Sequence, residues 1–509
     1  MSDAGAFQPG QLSPDGLWRW DGLQWTPVAT PAVPGWLKLS LRRQATWWTV
    51  ASAALIGVLA DQALHAGAFG AGAAATVIAG AALLVAAGRI RRTQPLVLAG
   101  VASLFGLWLV LRASPWLVWP DLAAGIAILF LAASLSENGS LFDVGSAELS
   151  ARSIHALAHL VAGVTFVARP VLASRARLSR LAPVARGLLI AAPICALLSV
   201  LLASADPVFA SFFNLNLDLG DLVVHVTLVG IGGLTMAGLV RLASADSVGR
   251  IEGPLWRLGS TEALVVLALL DAVFAAFAIA QVLAATGAAA DTLRNAGVTY
   301  SDYTRSGFFQ LLWAGGITLV VLILFSRITG LSTPEHSVAF LILAEIAVAL
   351  TLMIVIVAFR RLSLYEDAYG FTMLRLYSHV FAGWMAVVFV LLAADLMGLW
   401  RRRRWFVGAT VTTALAVLLA LNILNPEAAI VALNVSHAQT AHHVDAAYLG
   451  GLSSDATPSL IASLPAFDTR LGREVARVAC AGARSYSPSV WAFNWSDDQA
   501  VAARKAECR

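Results

Sequence analysis

Blocks of about 20 apolar residues recur along the chain, and each is long enough to cross a bilayer as one helix. Eleven are read as spans: Thr46–Leu64, Ala66–Gly88, Pro95–Leu111, Pro115–Leu135, Leu188–Ala203, Leu222–Val240, Ala263–Ala285, Phe308–Phe325, Val338–Phe359, Val380–Trp400 and Trp405–Leu424. A twelfth apolar stretch, Ile154–Val167, is short and holds His155 and His159. Only 13% of the 509 residues are charged, about half the share usual in soluble domains. The expected fold is therefore an all-α polytopic membrane protein with about 11 transmembrane helices, and the lipid bilayer is its expected surrounding. The net charge of +4 is small for this length. The arginines border the apolar blocks, where they read as topology signals, and no nucleic-acid partner is expected.

Lysine and arginine prefer the cytoplasmic ends of spans. With a cytoplasmic N-terminus, and with Ile154–Val167 not crossing, only Arg112, Arg294, Arg305, Arg360, Arg361 and Arg375 fall outside, against about twenty basic residues inside. If the twelfth segment crosses, every later loop flips and the bias disappears. The reading is thus a multi-pass protein of the cell membrane, N-terminus cytoplasmic and C-terminus extracytoplasmic. It divides into a soluble module at 1–35, four spans at 36–135, a basic cytoplasmic or interfacial segment at 136–187, seven spans at 188–424 and an outer helical tail at 425–509. In the first unit, "LSPDGLWRWDGLQWTPV" (Leu12 to Val28) alternates turn dipeptides with Trp18, Trp20 and Trp25, which predicts a small β-ribbon. It resembles a tryptophan-rich module of actinobacterial envelope proteins. The tail holds Cys480 and Cys508, and two thiols in an oxidising compartment suit a disulfide; two unrelated free thiols are the alternative. Cys195 reads as an apolar filler within a span.

Ionisable groups inside spans are expensive, so each demands a reason. They are Asp121, His225, Asp271, Glu345 and Asp395, with Asp61 and Glu262 at cheaper span ends. Ser260 is placed to cap the helix that Glu262 begins. Asp271 has no basic residue in its own span, and His225 is one possible partner. A buried pair that fixes packing and a proton or ion relay are the competing explanations. His155 and His159, four residues apart, share a helix face, but no further ligand pattern accompanies them and no metal or cofactor is expected. Glycines at 67, 70, 72, 80 and 88 and at 230, 232, 233 and 238 read as close helix packing.

Three outer segments carry acids, arginines and aromatic rings. "TYSDYTRSGFF" (Thr299 to Phe309) starts a helix with a capping box from Thr299 to Asp302 and leaves Arg305 on the side where arginine is disfavoured. "RRLSLYEDAYGFTMLRLYSH" (Arg360 to His379) and "ADPVFASFF" are the other two. A shared outer-face polar site is expected from Asp206, Tyr300, Tyr303, Arg305, Glu366, Tyr369, Arg375 and Tyr377, with Arg305 paired to Asp206 or Glu366. "SADPVFASFF", "YSDYTRSGFFQLL", "YEDAYGFTMLRLYSHVF", "NPEAAIVALNV" and "YLGGLSSDATPSL" follow one another in this order. Together they resemble the bacterial multi-pass family catalogued as domain of unknown function 4173, related to 4153, over roughly Leu188 to Trp495. The resemblance implies a membrane fold and a helical tail, and supplies no reaction.

No Walker loop, dinucleotide fingerprint, nucleophile elbow or kinase signature is present in the sequence. The leading expectation is a non-enzymatic envelope protein that binds a ligand or partner at its outer face, either an envelope protein or a lipid-linked molecule. A small-molecule or ion transporter lined by Asp271, Glu345 and His225 is the first alternative. A membrane enzyme acting on a lipid-linked substrate is the second.

Overall fold

The computed structural model describes residues 18–27, 39–65, 69–173, 219–246, 257–286, 307–399 and 404–508, except 332, 442–443, 468 and 483–484, with 11, 13, 191, 198 and 202 as isolated positions. Near the N-terminus, β1 (Trp18–Trp20) and β2 (Trp25–Pro27) form an antiparallel hairpin. Its turn is held by the Asp21 carboxylate, which accepts from the Leu23 and Gln24 N–H groups at 2.7 and 2.8 Å, and Trp20 meets Trp25 edge to face at 5.4 Å.

Everything that follows is built from helices: α1 (Trp47–His65), α2 (Ala71–Ala87), α3 (Thr93–Leu111), α4 (Pro115–Ser134), α5 (Ser146–Val161), α6 (Gly163–Ala173), α7 (Leu219–Ala243), α8 (Ser260–Ala285), α9 (Phe308–Ile328), α10 (Pro334–Tyr369), α11 (Met373–Leu396) and α12 (Trp405–Leu424). Ten stretches among the described residues are long and apolar enough to cross a membrane. That number includes Ser146–Ala173 and omits α2, which is one turn shorter than its apolar block. The chain is an all-α polytopic membrane protein. The expected span Leu188–Ala203, with Cys195, lies outside the described residues.

Local chemistry sets the helix ends. Proline occupies the first turn of α4 and α10, where its missing N–H costs nothing. Thr333 and Thr372 cap α10 and α11 by accepting from the His336 and Arg375 N–H groups. The α8 cap differs from expectation. Helix α8 begins one residue earlier, Gly259 is the cap residue, and its N–H donates to Glu262 at 3.1 Å. The Ser260 hydroxyl is engaged instead with the His336 ring at 3.0 Å.

Two apolar cores fill the bundle. One joins α1–α4 to α7 and the other joins α8–α12; Leu149 of α5 packs against both. Helices α1 and α7 run antiparallel in close contact. A Cβ on Gly57 would meet the Val229 carbonyl oxygen at 2.6 Å, and one on Gly232 would meet the Ala60 Cβ at 2.6 Å. Small residues permit that approach. Elsewhere large apolar side chains face outward, Ile356 at 67% exposure among them, as lipid contact requires.

One end of the bundle is basic. Arg43 donates to the carbonyls of Gly88 and Ala243 at 2.6 and 3.0 Å, joining the ends of α2 and α7. Arg42 pairs with Glu137 at 2.6 Å. Length and hydropathy alone would let Ser146–Ala173 cross, yet the helix breaks at Ala162. Its anchors also share this end. Gly145 abuts the Arg404 side chain ahead of α12. Arg152 donates to the Ser134 carbonyl at 2.8 Å, where α4 finishes. His159 meets Arg241 near the end of α7, and Arg169 donates to Gln44, just before α1, at 2.9 Å.

The tail covers the opposite end. It comprises α13 (Pro426–Ala441), α14 (Ala446–Gly450), α15 (Thr457–Ala462), α16 (Thr469–Ala479) and α17 (Trp495–Glu507) around a third small core. A disulfide joins Cys480 to Cys508 with Cα atoms 5.6 Å apart. Helix α17 is capped by Asn494, whose side-chain oxygen accepts from Ser496 and Asp497, rather than by Ser496 as the sequence pattern suggests. The Ser496 hydroxyl is committed to Asp455 instead.

Candidate functional site at the tail-bearing face

The seam between tail and bundle is a buried polar network, and local sequence explains its parts. At "NPE", Asn425 adopts the left-handed conformation (φ 51°) that asparagine tolerates, Pro426 opens α13, and Glu427 falls in its first turn. Glu427 is 2% exposed. One carboxylate oxygen accepts from the Ser114 hydroxyl at 2.7 Å, and the other from the Ser453 N–H and hydroxyl at 2.8 and 2.6 Å. Burial pushes this carboxyl above the usual glutamate range, while the bonds from Ser453 and Ser114 pull it back and nearby Asp455 pushes it further up. Asp455 closes the α3–α4 turn: its two oxygens accept from the Ala113 and Ser114 N–H groups, each at 3.0 Å.

Arg112 supplies the positive charge nearby but meets carbonyls rather than acids. It donates to the Asn422 carbonyl at 2.9 Å, at the C-terminal end of α12, where a cation complements the helix dipole. Asn422 donates to Asp121 at 2.7 Å. The second oxygen of Asp121 and the side-chain oxygen of Asn422 are buried with no hydrogen-bond partner among the described residues. Asn494 latches the other side. Its side-chain nitrogen donates to the carbonyls of Phe69, Leu109 and Arg112 at 3.1, 3.3 and 2.9 Å.

The expected outer-face site is partly visible. Asp206, Tyr300, Tyr303 and Arg305 lie outside the described residues, as does the capping pair Thr299 and Asp302. The other four divide between two places. Glu366 is buried and pairs with His379 at 3.3 Å. Arg375 stacks over Tyr365 at 4.5 Å and donates to the carbonyls of Tyr369 and Gly370. Gly370 needs its positive φ of 77° for the turn into α11. Asn434 of the tail then bonds both backbone groups of Phe371, at 3.1 and 2.9 Å. Tyr377 points elsewhere, donating to the Trp116 carbonyl at 2.6 Å in the first turn of α4.

The membrane acids also separate. His225 pairs with Asp61 at 2.6 Å, not with Asp271, and Asp61 is buried rather than a cheap end residue. Both oxygens of Asp271 and one of Glu345 are buried without hydrogen-bond partners among the described residues. Asp395 pairs with Arg327 at 3.6 Å. His155 and His159 face each other at 3.2 Å with Arg241 against His159, a cation where a metal would need to sit.

Residues 99–463 match the family model described as a domain of unknown function, DUF4153. The chain belongs to this family. The DUF4153 region starts in α3, so it takes in two of the first four spans, which the motif resemblance left outside. It contains Ser114, Asp121, Asn422, Glu427 and Asp455, whereas Asn494 and the disulfide lie beyond it. No curated protein and no solved structure matches the chain. Sequence reading missed Glu427 and Asp455 as members of a site, although both sit in quoted motifs, "NPEAAIVALNV" and "YLGGLSSDATPSL".

Proposed function

We propose that this protein works at its tail-bearing face, as an extracytoplasmic binding protein for an envelope protein or a lipid-linked ligand in the plasma membrane. The N-terminus is then cytoplasmic, and 136–187 is a basic segment lying along the inner surface. The observation that carries the reading is the buried seam of Glu427, Asp455 and Asn494. It fixes a folded tail rigidly over the ends of α3, α4 and α12, and rigid support is what a binding surface needs. The disulfide suits an oxidising compartment on that side, and the basic opposite end suits the cytoplasm. The motif likeness to the relative family 4173 fits the same architecture.

A photo-reactive amino acid at Tyr369, which is 60% exposed on this face, tests the reading in cells. Adducts with an envelope protein or a lipid-linked molecule are expected from there and not from Arg91 at the basic end. Adducts from Arg91 alone overturn it. Asp271 favours a second reading, a proton-coupled transporter, because a carboxyl with both oxygens unpartnered inside a span is placed to exchange a proton. Proton flux in liposomes that Asp271→Asn abolishes supports transport; equal flux in both rules it out.

A further inference from the structure

Outside the seam, the same end of the bundle gathers a different set of side chains. His65 closes α1, and Asp221 and His225 sit one turn apart at the start of α7, so helical spacing puts the last two on one face. The antiparallel packing of α1 and α7 brings all three together. One ligand-capable atom from each lies within 4.8 Å of the others. His65 Nδ1 is 3.8 Å from one Asp221 oxygen, and His225 Nε2 is 3.6 Å from the other. The two imidazoles are nearly stacked, with centroids 4.2 Å apart.

The other side of His225 decides what this cluster suits. Its Nδ1 lies 2.6 Å from Asp61, which is itself buried and bonded to Gln62 at 3.2 Å. A carboxylate behind one ring nitrogen fixes the tautomer, so the proton stays on Nδ1 and the Nε2 lone pair points into the cluster. Two imidazole nitrogens and a carboxylate then converge with lone pairs towards one point. Stacked imidazolium rings would repel each other there, whereas a shared cation satisfies all three.

We propose that His65, Asp221 and His225 bind a divalent first-row transition metal, zinc by the nitrogen and oxygen donor set, with Asp61 orienting His225 from behind. Zinc holds such ligands at about 2.0–2.2 Å in a tetrahedron. Closing onto it requires the exposed His65 and Asp221 side chains to move by roughly 1 Å, which helix ends allow. Three protein ligands leave the fourth position to water or to an incoming donor group, the arrangement of a metal site that exchanges ligands. The pair His155 and His159 has the more suggestive spacing in sequence, yet Arg241 fills its centre.

The test uses the full-length protein in detergent, stripped with a chelator and titrated with Zn2+ against a chromogenic competitor. One ion per chain is expected. His65→Ala and His225→Ala should each weaken binding at least tenfold, and Asp61→Asn by about 10–100-fold, the usual effect of losing an orienting partner. Co2+ should give the visible bands of a four-coordinate nitrogen and oxygen site in the parent protein and lose them in His65→Ala. His65 is an exposed side chain, so this variant keeps the fold, which its melting temperature verifies. An unchanged ion count in the double variant His65→Ala, His225→Ala overturns the proposal, and so does a folded parent protein that binds no ion.

Discussion

Asn494 makes the most of one side chain. It caps α17 and also satisfies three carbonyls at the ends of other segments, while itself 1% exposed. Asn494→Ala removes a cap and strands buried acceptors, so it should destabilise the protein by about 2–4 kcal/mol, read as a lowered melting temperature in detergent. Glu427 gives a pH signature. Its carboxyl titrates higher folded than unfolded, chiefly through burial. The unfolded chain therefore loses its proton first as pH rises, and the seam weakens from the ordinary glutamate value upward through the folded one. Hydrogen exchange in α13–α15 should be slower at pH 5 than at pH 8. In Glu427→Gln this contrast should flatten; an equal contrast in the variant assigns the effect to another group.

Helices are the scale at which the sequence was most legible. Span after span stands where an apolar block predicts it, because length and hydropathy are local properties that lipid enforces. Pairings between helices were not legible, since nothing in a carboxylate names its partner. Asp61 and His225 are 164 residues apart, and Asp455 and Ser114 are 341 apart. Caps failed by a residue or two where a tertiary partner claimed the serine, as at Ser260 and Ser496. Glycine patterns, by contrast, do report contact. Gly57→Val should cost about 1–3 kcal/mol by overpacking α1 against α7. Gly100, with open space where a Cβ would stand, should accept alanine with no loss. Melting of both variants checks the pair. Reduction of Cys480–Cys508 frees a loop of sequence separation 28. It should destabilise the tail by about 3 kcal/mol, seen as faster exchange in α16 and α17 but not in α8–α10.

For the whole molecule the open question is which way it faces. A membrane-impermeant maleimide should label Tyr369→Cys on intact cells and Arg91→Cys only after permeabilisation; the reverse pattern inverts the orientation. The seam has a further consequence for how such a chain is made. The turn between α3 and α4 emerges from the ribosome long before its partners do, with Asp455 following 341 residues after Ser114 and Asn494 following 382 after Arg112. Translation can therefore insert every span while the lipid-embedded half still lacks its closing latch. A chain cut short of Asn494 would carry a complete set of membrane helices and no seal, and the surveillance proteases that patrol membranes would meet it as unfinished.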